Sequence, residues 1–129
     1  MKAIENITTR NSHSKLIEPH PTSEEMKIVY ESALRAPDHA GLHPSQFIEV
    51  TGNGLKKLSD VFLKYANSHI DDLTDKLLHK YENAPFRAPM IIVLICNIRE
   101  HPKVPEIEQM LSTAAAAQNI LLSLHALKY

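Results

Sequence analysis

Apolar and polar positions alternate along the chain in three rhythms, and each rhythm predicts a different element. Ala3, Ile4 and Ile7 share one helical face, a short stretch that ends near the polar run Thr8 to Ser14. Thr22 and Glu25 have the spacing of a capping box, in which hydroxyl and carboxylate satisfy amides that the first helical turn leaves unpaired, so a second helix starts there. Met26, Val29, Tyr30, Ala33 and Leu34 then make a core-facing stripe, and Pro37 forces the chain out of helix just after Arg35. Gln46 to Thr51 reads as a strand with Ile48 and Val50 on one face, closed by the turn signal Gly52-Asn53-Gly54. Leu55, Leu58, Phe62 and Tyr65 mark one further helix, and Ile70, Leu73, Leu77 and Tyr81 mark another. Met90 to Cys96 is continuously apolar and rich in branched residues, the signature of a central strand covered on both sides. From Glu106 the longest helix begins, and its Ala114 to Ala117 run lets another backbone approach closely. Met110 to Leu127 is nearly long enough to span a bilayer, but Ser112, Thr113, Gln118, Asn119, Ser123 and His125 interrupt it, so a buried helix is expected.

Composition narrows the picture only slightly. The 129 residues, 43% apolar and 22% charged, suit one soluble domain with a modest core. A formal charge of -1 supplies no field to hold a nucleic acid backbone, and no basic patch compensates. The single Cys96 has no internal disulfide partner and is expected to pack as a small hydrophobe, which fits a reducing compartment. Met1 to Arg10 lacks the form of a secretory signal, so the expected location is the cytoplasm, with no membrane partner. Two strands separated by two helices do not make a stable sheet unaided. The long helix also reaches Tyr129 without a closing glycine or proline. The expectation is a C-terminally truncated chain, or one whose sheet a partner molecule completes.

Chemistry-bearing residues gather at two places. Arg10, Asn11 and Ser12 put a guanidinium, an amide and a hydroxyl at the end of the first helix, a set suited to a phosphate, although such residues beside a loop are often simply solvated. Arg35-Ala36-Pro37-Asp38-His39, followed by His43 and Pro44, sets a cation at a helix end against a rigid loop bearing imidazoles. One reading of that loop is a metal site of Asp38, His39 and His43. It competes with a turn-stabilising Asp38 and exposed histidines, since the prolines and Gly41 deny the two histidines a common helical face. Gly52-Asn53-Gly54 is a turn rather than a dinucleotide fingerprint, Cys96 lacks a nearby cation to make it a nucleophile, and His125, Tyr30 and Tyr65 read as packing residues.

The string Arg10-Asn11-Ser12, Pro19, Pro21-Thr22, Arg35-Ala36-Pro37-Asp38-His39, Pro44 and Phe47 resembles the compact branch of the flavin-dependent nitroreductase family. Ala84-Pro85-Phe86-Arg87-Ala88-Pro89, the apolar strand, Lys103-Val104-Pro105, Glu108-Gln109 and Ser112 continue the resemblance in order, from Arg10 to Tyr129. It implies an α+β fold: an α/β sandwich with a central, mostly antiparallel sheet flanked by helices, incomplete in this chain, which is a single partial domain. It further implies a homodimer with two FMN sites at the interface. Arg10, Asn11 and Ser12 stand on the phosphate side of one subunit, and Arg35 and His39 meet the flavin from the other. Hydride then passes from NAD(P)H through the flavin to a nitroaromatic, quinone or similar small-molecule acceptor, and cationic groups near the ring stabilise its reduced, anionic form. No catalytic side chain and no metal are implied.

Three departures from the family pattern carry expectations of their own. Asn11 stands where a second arginine is typical, which removes a charge from the phosphate grip. Ser45 stands where the compact branch often has a tryptophan, and the family's further strands and flavin contacts beyond the long helix are not in this sequence. The expected result is weak FMN binding and slow or no turnover. The competing reading is a non-catalytic remnant that dimerises without flavin.

Overall fold

The computed structural model describes residues 2–129, which form five α-helices and two strands. Helix α1 is Ala3–Thr9, α2 Ser23–Ala33, α3 Asn53–His69, α4 Asp75–Asn83 and α5 Glu106–Ala126; β1 is Ser45–Thr51 and β2 Met90–Cys96. Short 3-10 helices occupy His39–Gly41 and Ala84–Arg87. The strands pair with each other in a two-stranded sheet, and their direction is antiparallel, since the Asn97 amide just past β2 donates to the Pro44 carbonyl just before β1 at 2.7 Å. The chain divides into two compact units, and the division passes through both strands.

The first unit comprises residues 2–12, Pro21–Ile48 and Leu94–Tyr129. Its core is the packing of α2 on α5: Met26, Val29 and Ala33 from one helix meet Ala116 and Ile120 from the other, all 3% exposed or less. Small residues let the two backbones come close, as the alanine run predicts. The capping box that opens α2 is present, with the Glu25 amide donating to Thr22 Oγ1 at 3.3 Å and the Thr22 amide donating to Glu25 Oε2 at 2.8 Å. Helix α2 ends at Ala33, two residues short of Arg35, and Leu34 is 66% exposed instead of completing the core stripe. The last turn tightens ahead of Pro37, with Arg35 N–H bonded to Ser32 O and Ala36 N–H to Ala33 O, and this rotates Leu34 outward.

Helix α5 departs most from expectation. Its buried stripe is Gln109, Ser112, Thr113, Ala116 and Ile120, whereas Ile107, Met110, Leu111 and Leu121 are exposed on the opposite face. Two of the interruptions that argued against a membrane span, Ser112 and Thr113, thus lie on the inward face beside Gln109, while Gln118 is exposed. Gln109 Oε1 accepts from Arg99 N, its Nε2 donates to Arg99 O, and Thr113 Oγ1 accepts from Ser45 Oγ. Lys128, at φ 71, closes the helix in the left-handed conformation, with Tyr129 N–H returning to Leu124 O, so no glycine is needed. Helix α1 lies on α5, yet none of its residues is buried; Ile4 and Ile7 are 72% and 55% exposed. On β1 the expected face breaks at Ile48, while Val50 is half-buried. Phe47 turns in and stacks on Tyr30 at 5.4 Å, while Ile48 faces out.

The second unit comprises His13–His20 and Glu49–Val93, with α3 packed on α4 and on the 3-10 helix Ala84–Arg87. Leu55, Ser59 and Ala66 are its buried positions on α3, and Ser59 Oγ donates to the Glu82 carbonyl at 2.7 Å. Gly52 makes the predicted turn with φ 50, but Asn53 and Gly54 already belong to α3. Ile70 caps α3 and Leu73 lies in the connection, so α4 is shorter than the apolar spacing suggests; Thr74, whose hydroxyl accepts from Leu77 N, sets its start. Tyr65 stacks on His69 at 4.5 Å and is 52% exposed, not a core residue. The segment before Pro21 is tied down by Arg87, whose Nε donates to Ser14 O and whose carbonyl accepts from Leu16 N, both at 2.7 Å.

Strand β2 is neither central nor covered on both sides: no residue of it is fully buried, Leu94 is 37% exposed and Cys96 is half-buried. Its one strand neighbour is β1, so no second strand pairs with its other edge among the described residues. No described helix is long and apolar enough to cross a membrane.

Candidate functional site

Arg10, Asn11 and Ser12 leave α1 in extended backbone, Arg10 having φ -63 and ψ 132. Extension turns the side chains of residues 10 and 12 to the same side of the chain. Arg10 Nη1 donates to Ser12 Oγ at 3.1 Å and to the Asn11 carbonyl at 2.9 Å. The guanidinium retains further N–H groups and the serine hydroxyl its own proton, a compact donor cluster. Asn11 is exposed and donates through Nδ2 to Thr9 O, which ties it back to the end of α1. The three residues lie together at the end of α1.

Arg35 stands elsewhere in the same unit. It lines an open cavity of about 300 Å³ together with Asn6, Ser32, Asn119, Leu122, Ser123 and Ala126. Hydrogen bonds between α1, α2 and α5 build its walls: Asn6 Nδ2 to Leu122 O, Asn119 Nδ2 to Ser32 O, and a short Ser32–Ser123 hydroxyl contact. The Asn6 Oδ1 atom is buried without a partner. None of Arg10, Asn11, Ser12 or His39 lines this cavity, so the two arginines do not converge on one cavity in a single chain.

His39 sits in the 3-10 turn between α2 and β1, where Ala40 (φ 61), Gly41 (φ 62) and His43 (φ 49) are left-handed. Asp38 holds that backbone, its carboxylate accepting from Leu42 N at 3.1 Å and His43 N at 2.8 Å. His39 Nδ1 meets Glu108 Oε2 on the first turn of α5 at 2.5 Å. Asp38 therefore plays its turn-stabilising role, and the carboxylate lies 3.3 Å from His43 Nδ1 while His39 turns to another acid. The proposed metal trio does not assemble, and no three His, Cys, Asp or Glu side chains gather into a metal site among the described residues.

Reading the sequence alone does not single out Asn6, Ser32 and Asn119. Polar residues within an apolar pattern read as interruptions, and their partners lie on other helices. Glu108 is quoted only as part of a matching string; its acidic character in a first helical turn has an ordinary helix-dipole explanation, which hides its contact with the distant His39.

Comparison with known proteins gives this geometry its context. The nitroreductase family matches residues 7–129. The chain is 39% identical over 116 residues to the Escherichia coli (strain K12) protein named "Putative NAD(P)H nitroreductase YdjA", covering 90% of this chain and 62% of that protein. It is 41% identical over 127 residues to a Haemophilus influenzae "Putative NAD(P)H nitroreductase", covering 98% of this chain and 68% of that protein. Among solved structures, the FMN-dependent nitroreductase NfnB from Mycobacterium smegmatis in complex with NADPH superposes with a TM-score of 0.72 at 19% identity, over 96% of this chain and 70% of that one. The chain belongs to the nitroreductase family and has its α+β fold. It spans 62% of the length of the Escherichia coli relative.

Proposed function

We propose that this chain contributes to an FMN-dependent oxidoreductase that draws on NAD(P)H and reduces a nitroaromatic, quinone or similar small molecule. The observation that carries the reading is the Arg10–Ser12 pair at the end of α1, a guanidinium and a hydroxyl 3.1 Å apart with N–H and O–H groups left to donate. This donor set fits a phosphate monoester, which offers acceptors only. The names of the relatives, with NAD(P)H in two and FMN and NADPH in a solved structure, support the same chemistry.

Arg10 and Ser12 would hold the phosphate, with Asn11 contributing an amide where a charge is usual, and Arg35 and His39 would meet the ring system from a second copy of the chain. Bound FMN supplies the two-electron chemistry. The protein's own residues bind, orient and balance charge: Arg35 is a fixed cation, and His39 offers one ring nitrogen while Glu108 occupies the other. The exposed face of α5 supports the pairing. Ile107, Met110, Leu111 and Leu121 form one apolar stripe opposite the buried one, as expected of a helix that packs on another molecule.

A second reading, a dimerising domain without flavin, draws on Asn11, since the stripe is intact while the phosphate grip is one charge short. Titration with FMN separates the two. Quenching of flavin fluorescence that saturates at one FMN per chain, followed by NAD(P)H-dependent bleaching of the bound flavin, is the result expected for the oxidoreductase. A dimer that leaves flavin fluorescence unchanged at millimolar FMN would favour the second reading.

A further inference from the structure

We infer that Glu108 is a positioning residue that fixes the tautomer and orientation of His39, so that Nε2 of the neutral ring faces the ligand as a bare acceptor for an N–H or O–H group. The inference rests on the flavin reading for the identity of the ligand, but its geometric half stands on this chain alone.

A carboxylate only accepts hydrogen bonds, and a neutral imidazole has one N–H. Contact between His39 Nδ1 and Glu108 Oε2 at 2.5 Å therefore places the proton on Nδ1, and in the neutral ring that leaves Nε2 as a lone-pair acceptor on the far edge. The two residues are 69 positions apart, on a 3-10 turn and on the first turn of α5, so the contact is tertiary rather than a local accident. Both ends are anchored. Asp38 fixes the backbone beneath His39 through Leu42 N and His43 N, and α5 is held to the preceding loop by the buried Gln109 amide beside Glu108. Asp38 faces His43, so each imidazole of the loop has its own carboxylate and neither acid competes for the other's partner. Side chains that are 56% and 44% exposed leave the ring's second edge open to a ligand. A flavin offers a donor of the required kind in its imide N–H, which an Nε2 acceptor recognises and an Nε2–H donor rejects.

Nitrogen-15 NMR of the histidine rings reads the tautomer directly, without flavin and at alkaline pH. His39 is expected to show a protonated Nδ1 and an unprotonated Nε2, and Glu108→Ala to return it to the mixed, mainly Nε2–H population of a free imidazole. Unchanged shifts in Glu108→Ala would overturn the inference, provided that circular dichroism and the melting temperature show the variant folded. If Glu108→Ala unfolds, Glu108→Gln, which keeps the shape but can donate to Nδ1 as well as accept, is expected to lose the single tautomer, and its retention would overturn the inference.

FMN titration completes the test. Glu108→Ala is expected to weaken binding about three- to tenfold, the loss of one oriented hydrogen bond. His39→Ala is expected to do the same, and the double variant no more than either single one, because the two act as a unit. Additive losses would show that Glu108 acts independently of His39 and would overturn the positioning role. Absence of FMN binding in the unaltered protein would instead defeat the flavin reading while leaving the tautomer result standing.

Discussion

Glu25 and Gln109 are two polar side chains that each hold together segments the helices alone would not. Glu25 Oε2 accepts from the Thr22 amide at 2.8 Å, the Thr22 hydroxyl at 2.7 Å and the Tyr129 hydroxyl at 2.9 Å, so it closes the cap of α2 and receives the far end of the chain. These donors, the Thr22 backbone first, hold its carboxyl below the usual range. A group with a depressed folded pKa stabilises the fold fully above its unfolded pKa of about 4.3 and loses that contribution as pH falls through the folded value. The stability difference between the unaltered protein and Glu25→Gln, followed by melting temperature, is therefore expected to shrink as the pH is lowered below about 4.3. A gap that stays constant from neutral pH into acid would refute the assignment. Gln109, 2% exposed, bonds both backbone groups of Arg99. Gln109→Ala strands those groups beside the core of the first unit, and a loss of roughly 1–3 kcal/mol in urea unfolding is expected.

At the level of elements, α5 presents two unlike faces. Its inward face is small and polar, satisfied by hydrogen bonds and packed on α2, while Ile107, Met110, Leu111 and Leu121 look outward. Leu111→Glu places a charge at the middle of the outward stripe and is expected to reduce the light-scattering mass from about twice the 14.5 kDa chain to that of a single chain, with helix content unchanged. An identical mass would remove the stripe from the account. Helix onsets were the most legible part of the fold, because caps such as Thr22 with Glu25 depend on neighbours three residues away. Strand positions were legible as well. Inward and outward faces were less so: a period of apolar residues says that one face packs, not which, and on α5 the inward face is made of small and polar residues. Leu34 and Ile48 face out for local reasons, a tightened last turn in one case and the inward packing of the neighbouring Phe47 on Tyr30 in the other. Of the candidate site, the Arg10, Asn11, Ser12 cluster could be read locally. The pairing of His39 with Glu108 could not, since it spans 69 residues.

On the scale of the whole molecule, the family and the fold place the chain, and the proposed flavin site takes its cations from two copies. Arg10 donates to Ser12 beside α1, and Arg35 lines a cavity that Arg10 does not reach. The proposed sharing of the site between subunits has a distinctive consequence: a chain lacking Arg10 and a chain lacking Arg35 would each spoil both sites of their own homodimer, whereas their heterodimer would rebuild one intact site. Arg10→Ala and Arg35→Ala, each alone, are expected to bind FMN at least tenfold more weakly. The two mixed at equal concentration, after subunit exchange, are expected to recover full-affinity FMN binding in about a quarter of the sites, the random-pairing yield of one good site per heterodimer. A mixture that binds no more FMN than the average of its two components would contradict the shared flavin site on which the account rests.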